Sequence, residues 1–128
     1  MSSFLDDCRD LIVNDASINA RYSPRIYFQL LPKDIDKDKV WLRWGFTQTD
    51  SIECIGGDVA YNNYSLFIDV LSKTINDLPD MGDEIVQNFN GSNYEGRIIN
   101  LNFDSDVYSN YQEKDIYVRT LNFSVTYK

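Results

Sequence analysis

With 128 residues, 43% of them hydrophobic and 25% charged, the chain has the size and composition of one globular domain, which excludes a disordered or fibrous protein. Its 12 Lys and Arg stand against 20 Asp and Glu, a net charge of −8, which excludes gripping a nucleic-acid backbone, since that needs clustered cations to displace counterions. Histidine is absent, so the common serine and cysteine triads have no base, and no run approaches the ~18 apolar residues of a membrane span.

The start Met1-Ser2-Ser3-Phe4 lacks the basic and apolar pattern of a secretory signal, so a reducing compartment is expected. Phe4, Leu5, Cys8, Leu11 and Ile12 recur at the spacing of one helix face. Ser2 or Ser3 caps this helix, Asp6 and Asp7 suit its first turn, and Cys8 on the stripe reads as a buried thiol. Asn14-Asp15 ends it, and the stretch to Ser23-Pro24 reads as a connector. From Arg25 the period becomes two: Ile26, Phe28 and Leu30 alternate with Arg25, Tyr27 and Gln29 until Pro32. Residues 33–39 form a charged turn. Val40, Leu42, Trp44 and Phe46 then alternate with Trp41, Arg43, Gly45 and Thr47, predicting a second strand.

Residues 50–63, which include Gly56-Gly57-Asp58 and Asn62-Asn63, read as a long loop with room for a short strand at 52–55. Tyr64, Leu66, Ile68 and Val70 predict a third strand, with Phe67 and Leu71 on its other face. Residues 74–78 turn into a second helix opened by Pro79, Asp80, Asp83 and Glu84. Met81, Ile85, Val86 and Phe89 form its buried stripe and Asn90-Gly91 its stop. Ile99, Leu101 and Phe103 alternate with Ile98, Asn100 and Asn102, and residues 104–115 read as a polar loop. Leu121, Phe123, Val125 and Tyr127 alternate with Thr120, Asn122, Ser124 and Thr126, the strongest strand pattern of the chain.

The expected fold is α+β: a single domain with an antiparallel-dominated β-sheet and two α-helices packed on one face. Leu42, Trp44, Leu66, Ile68, Leu101, Leu121 and Phe123 are its expected core. The opposite sheet face carries Tyr27, Trp41, Phe67, Ile98, Ile116 and Val118. A contiguous apolar patch there marks subunit contact, and coverage by loops accounts for the same pattern equally well.

Motifs that would carry chemistry are incomplete. Asp34-Ile35-Asp36-Lys37-Asp38 begins like a calcium loop, but Lys39 stands where glycine must turn the chain and Gly45 where a bidentate Glu is needed. Gly56-Gly57-Asp58 lacks the following Lys and Ser/Thr of a phosphate loop. Asp104-Ser105-Asp106 and Asp83-Glu84 approach paired carboxylates, with no sequence signal for a raised pKa. No catalytic, cofactor-binding or metal-binding set is assembled, so a non-enzymatic protein without cofactor, acting by contact, is expected.

The order helix, strands, helix, strands resembles the tail terminator (tail completion, or minor tail) proteins of long-tailed bacteriophages. The resemblance rests on the opening helix from Phe4 to Ile12 and on Pro24-Arg25-Ile26-Tyr27 leading into the first strand. The strand from Tyr64 to Leu71 followed by the helix from Pro79 to Phe89, and the closing Leu121-Asn122-Phe123-Ser124-Val125-Thr126-Tyr127, extend it over nearly the whole chain. It implies a structural virion protein forming a ring, usually a hexamer, at the head-proximal end of the tail tube. Such a ring halts tube polymerisation and meets the head connector while DNA passes through its lumen without specific binding. The implied partners are further copies of the chain, the major tail tube protein and the head connector or stopper protein, with no membrane. The implied place is the head–tail junction of the virion, after assembly in the host cytoplasm.

Within such a ring, Tyr27, Trp41, Arg43 and Phe67 are candidate subunit contacts, because interfaces favour large rigid side chains and Arg. Asp104, Asp106 and Glu113 are candidate lumen- or partner-facing residues. The 50–63 loop, Pro79 and Gly82 depart from the usual form, which keeps another neck or head–tail joining component open. A small acidic inhibitor or immunity-type protein is the rival class, its carboxylates and aromatics meeting a basic enzyme.

Overall fold

Apolar side chains at alternate positions of four long strands create one sheet face that must be shielded from water, and short amphipathic helices shield it. The computed structural model describes residues 3–53, 60–95, 97–111 and 115–128. Along them run α1 (Phe4–Val13), α2 (Ala16–Tyr22), β1 (Ile26–Phe28), β2 (Trp41–Glu53), β3 (Ala60–Ser72), a 3-10 turn (Ile75–Asp77), α3 (Leu78–Phe89), β4 (Ser92–Tyr94), β5 (Ile98–Tyr111) and β6 (Ile116–Tyr127). The strands form one mixed sheet in the order β1-β2-β3-β6-β5-β4. Every adjacent pair is antiparallel except β1 with β2. The fold is α+β, as the periodicities predict.

Leu42, Trp44, Leu66, Ile68, Leu101, Leu121 and Phe123 are all buried, in one cluster with Phe4, Cys8 and Ile12 of α1, Ile18 and Tyr22 of α2, and Leu78, Met81, Ile85 and Phe89 of α3. Ser3 caps α1 by accepting a hydrogen bond from the Asp6 N–H at 3.1 Å. Phe4 stacks on Tyr64 with ring centroids 3.8 Å apart and meets Phe46 and Tyr127 edge-on, which seats the helix on the sheet. Pro79 falls in the first turn of α3, where its missing N–H costs no helix hydrogen bond, and Gly91 at φ +83° follows the helix end.

Four expectations need correction. The stretch after Asn14 is not a connector: Asp15 caps α2, its side chain accepting from the Ile18 N–H at 3.0 Å. The helix escapes a periodicity reading because only Ile18 and Tyr22 are buried along its seven residues. Residues 50–63 are mostly strand, since β2 runs to Glu53 and β3 starts at Ala60; residues 54–59, which hold Cys54 and the Gly-Gly-Asp motif, lie outside the described residues. Residues 104–111 are likewise strand, because pairing with β6 supplies their hydrogen bonds whatever the polarity of their side chains.

The fourth correction is Ile98. The register advances from Ile98↔Tyr127 to Asn100↔Thr126, so one extra residue bulges and turns Ile98 into the core, fully buried beside Leu101.

Leu121 sits at the centre of this core with no exposure. Leu121→Ala is expected to cost about 2–5 kcal/mol in urea or guanidinium unfolding, the range for a cavity left by a buried leucine. A loss below roughly half a kilocalorie would place this strand face outside the core.

Candidate assembly interface

The sheet face turned away from the helices changes character along its length. At one end Trp41, Leu71, Ile116 and Val118 form a second buried cluster. A parallel β1–β2 pair cannot be joined by a tight turn, so the chain must travel back along the strand. Residues 29–40 make that return over this face, packing Leu31 and Ile35 on the cluster, with Tyr27 and Tyr111 beside them. The Trp41 indole N–H donates to the Asp36 carbonyl at 2.9 Å, fixing the segment in place. Coverage by a loop thus accounts for much of the apolar second face.

Further along, the Arg43 guanidinium donates twice to Asp69 Oδ2, at 2.8 and 2.5 Å, and the Thr120 hydroxyl donates to Asp69 Oδ1 at 2.5 Å. Asp69 is buried, and these three bonds satisfy it across β2, β3 and β6. Beside it the Phe67 ring lies over Gly45, where a Cβ would come within 2.6 Å of it. The far end is mostly polar: Thr49, Asn63, Ser65, Asn102, Ser124 and Thr126, with Tyr64 and Val125, line a depression of about 390 Å³. Ser124 donates to the Asp104 carboxylate at its margin.

Two arginine locks hold the helices to the opposite face. Asp7, buried on α1, receives the Arg97 guanidinium at 2.7 and 2.8 Å and the Tyr127 hydroxyl at 2.5 Å, tying α1 to the turn before β5 and to β6. The Arg97 hydrogen bonds hold the Asp7 carboxyl below its ordinary value against the opposing effect of burial. Burial, with the hydrogen bond to Asp7 as a second cause, pushes the Tyr127 phenol up to about 12. Cys8 next to the lock is buried, its thiol also raised to about 12 by desolvation, so it is no nucleophile at neutral pH.

Arg119 on β6 makes the second lock. It donates to the Pro79 carbonyl at 2.8 Å, to Asp83 at 3.0 Å and to Asp106 at 2.7 Å, and lies 5.4 Å from the Tyr108 ring centroid. Gly82 gives the guanidinium its room, for a Cβ there would stand 2.4 Å from Arg119 Nη1.

The residues singled out in the sequence are therefore scattered in role. Tyr27, Trp41, Arg43 and Phe67 share the outer face, Tyr27 stacking on Trp41 at 5.8 Å; Trp41 is buried and the other three are half-buried. Asp104 and Asp106 belong to strand β5 and not to a loop, and Asp106 faces Arg119 on the helix side. Glu113 lies outside the described residues. Sequence reasoning missed the Asp7 and Arg119 locks, whose partners are far apart in the chain. It also missed the length of β5, although residues 104–111 contain neither Gly nor Pro. Among the described residues no cluster of three or more Cys, Asp or Glu is placed to hold a metal, and no helix is long and apolar enough to cross a membrane.

No protein-family model matches the chain, and no curated protein matches it by sequence. Among solved structures, a chain of a virion of a native gene transfer agent particle superposes with a TM-score of 0.72 at 15% identity. The match covers 98% of this chain and 94% of that one, so the two share a fold from end to end.

Two predictions test the locks. Ionised Asp7 favours the folded state, so its stabilisation is complete above the ordinary carboxylate value of 3.8 and is lost as pH falls through the lower folded value. Asp7→Asn should lose about 2–4 kcal/mol at neutral pH, below the full range for a broken buried pair because Arg97 is partly solvated. The gap to wild type should narrow on acidification below 3.8, and a gap constant across that range would contradict the assignment. Gly82→Ala should destabilise by about 1–3 kcal/mol through overpacking against Arg119, despite alanine's better helix propensity. A more stable variant, measured by thermal unfolding, would show that Arg119 yields freely.

Proposed function

We propose that this chain is a structural virion protein of the tail terminator or tail completion type, its residues 1–128 forming one terminator-like domain. The observation that carries the proposal is the end-to-end likeness in fold to a virion chain, at a TM-score of 0.72. In this reading the protein forms a ring, of six copies as in the family it resembles, at the head-proximal end of the tail tube. It stops tube growth and joins the tail to the head connector. Further copies, the major tail tube protein and the connector or stopper are its partners, and it performs no catalysis.

The surface suits that role. The net charge of −8 and the capture of Arg43 by Asp69 and of Arg119 by Asp83 and Asp106 leave little to hold a passing nucleic acid. Tyr27 and Phe67 are the proposed subunit contacts on the outer face, shaped from beneath by Trp41 and Arg43. Asp104, beside the uncharged depression, and Glu113 are proposed for the lumen or a partner. Asp106 contributes through Arg119.

Imaging of assembled particles is the test. A single ring of this chain with the symmetry of the tube, at the head–tail junction, is the expected result. Recovery of the chain only in a one-to-one complex with a soluble enzyme, or its absence from particles, would overturn the proposal.

A further inference from the structure

Each outer edge of the sheet is half capped and half open. β1 pairs with β2 only from Leu42 to Trp44, and among the described residues no strand lies beside residues 46–53. On the other edge β4 pairs with β5 between Ile98 and Leu101, and the Asn90 side chain extends this cover by accepting from the Phe103 N–H at 2.8 Å. No described strand lies beside residues 104–111. Trp44, Ile68, Leu121 and Asp106 form one row across the sheet. The open part of β2 extends from that row toward one end of the sheet and the open part of β5 toward the other.

Soluble proteins protect such edges with Lys, Pro, short strands or a cover. Residues 105–111 contain no Lys, Arg or Pro, and their one carboxylate, Asp106, is held by Arg119. Val107 and Tyr108 are 54% and 46% exposed there. Residues 46–49 of β2 are equally free of charge and proline.

The two edges also run in opposite directions, since β2 is antiparallel to β3, β3 to β6 and β6 to β5. A second copy in the same orientation, placed beside β5, therefore presents its β2 antiparallel and continues the alternation, the pairing with the stronger hydrogen bonds. Level placement is blocked, because β4 fills the position that the open part of the neighbour's β2 would take. A shift of about seven residues, roughly 23 Å at 3.3 Å per residue, brings open part against open part.

We propose that residues 105–111 of one copy pair antiparallel with residues 46–52 of the next, leaving Asp104 and Glu53 outside the paired stretch, so that the sheet runs on from copy to copy with this fixed stagger. The inference rests on the assembly reading above in taking another copy as the neighbour, and it names the edges that join. Two β5 edges paired about a two-fold axis would leave the open part of β2 unused in every copy. The heterologous contact uses both, and its repetition closes a ring or extends a filament.

Cross-linking between two variants tests it. In a Cys54→Ser background, with Cys8 buried, Val107→Cys copies and Thr49→Cys copies carrying distinguishable tags are mixed at high concentration with a short linker bearing two thiol-reactive ends. Links joining one copy of each kind are expected, with none between two copies of the same kind. Adding Val107→Lys to the Thr49→Cys chains and Thr49→Lys to the Val107→Cys chains leaves each thiol in place while charging the complementary edge of its own copy. The interface joining the two thiols remains unchanged and only further growth is blocked, so mixed links should persist while the mass of the assembly before linking falls to that of pairs. Adding Asn110→Pro to the Val107→Cys chains instead blocks the joining edge itself and should lower the mixed yield by about tenfold or more. The thermal midpoint of each variant, measured in dilute solution, checks that the monomer still folds. Links between two Val107→Cys copies, or an absence of mixed links, would overturn the pairing, as would mixed links undiminished by Asn110→Pro. A chain found at the head–tail junction of particles yet giving no mixed links would sink the pairing alone, and the virion reading would stand.

Discussion

Everything in this fold is hung on the uninterrupted antiparallel register of β3 with β6, from Asn62↔Tyr127 to Ser72↔Tyr117. A slip of one residue would carry either Leu66 and Ile68 or Leu121 and Phe123 to the outer face and break the Thr120–Asp69 bond. The two strands are separated by the whole of α3, β4 and β5 in sequence, so the register is a long-range choice made by burial. Once it is set, β2 and β5 add on either side, and each face of the sheet acquires its character.

The helices are held by a dry apolar contact together with two charged locks, and the two kinds of interaction divide the labour. Phe4, Cys8, Ile12, Met81, Ile85 and Phe89 provide the non-directional burial that keeps the helices down. Asp7–Arg97 and Arg119 with Asp83 and Asp106 fix where each helix sits, because a buried carboxylate or guanidinium is tolerated only with its partners in place. Each lock withdraws carboxylates together with cations, so the acidic exterior follows from the net charge of −8 and not from the pairing.

That division bears on function. Several side chains with shifted pKa values here serve folding. Asp7, Tyr127 and Cys8 are all enclosed beneath α1, away from the open edges. The surfaces that stay open among the described residues are the half-capped edges and the mixed outer face, where an apolar end covered by residues 29–40 gives way to the Arg43–Asp69–Thr120 bridge and then to uncharged hydroxyls and amides.

Period-two and helical stripes in the sequence determined the α+β class, the central core residues, α1 behind its Ser3 cap and α3 with Pro79 in its first turn. These are local patterns, legible because each side chain's burial follows its neighbours' spacing. The tertiary structure alone decided that residues 104–111 are strand, since a polar segment takes its hydrogen bonds from a partner that only folding brings alongside. It decided that Ile98 turns inward, because a bulge inserts a residue without any mark in composition. It decided that Asp7 is buried and Asp106 is a lock, because Arg97 and Arg119 reach them across long stretches of chain. Which edges stay open was likewise settled only by folding: the strand read from Arg25 ends at Phe28, the three-residue β4 shows no periodicity, and the two cap opposite ends of the sheet.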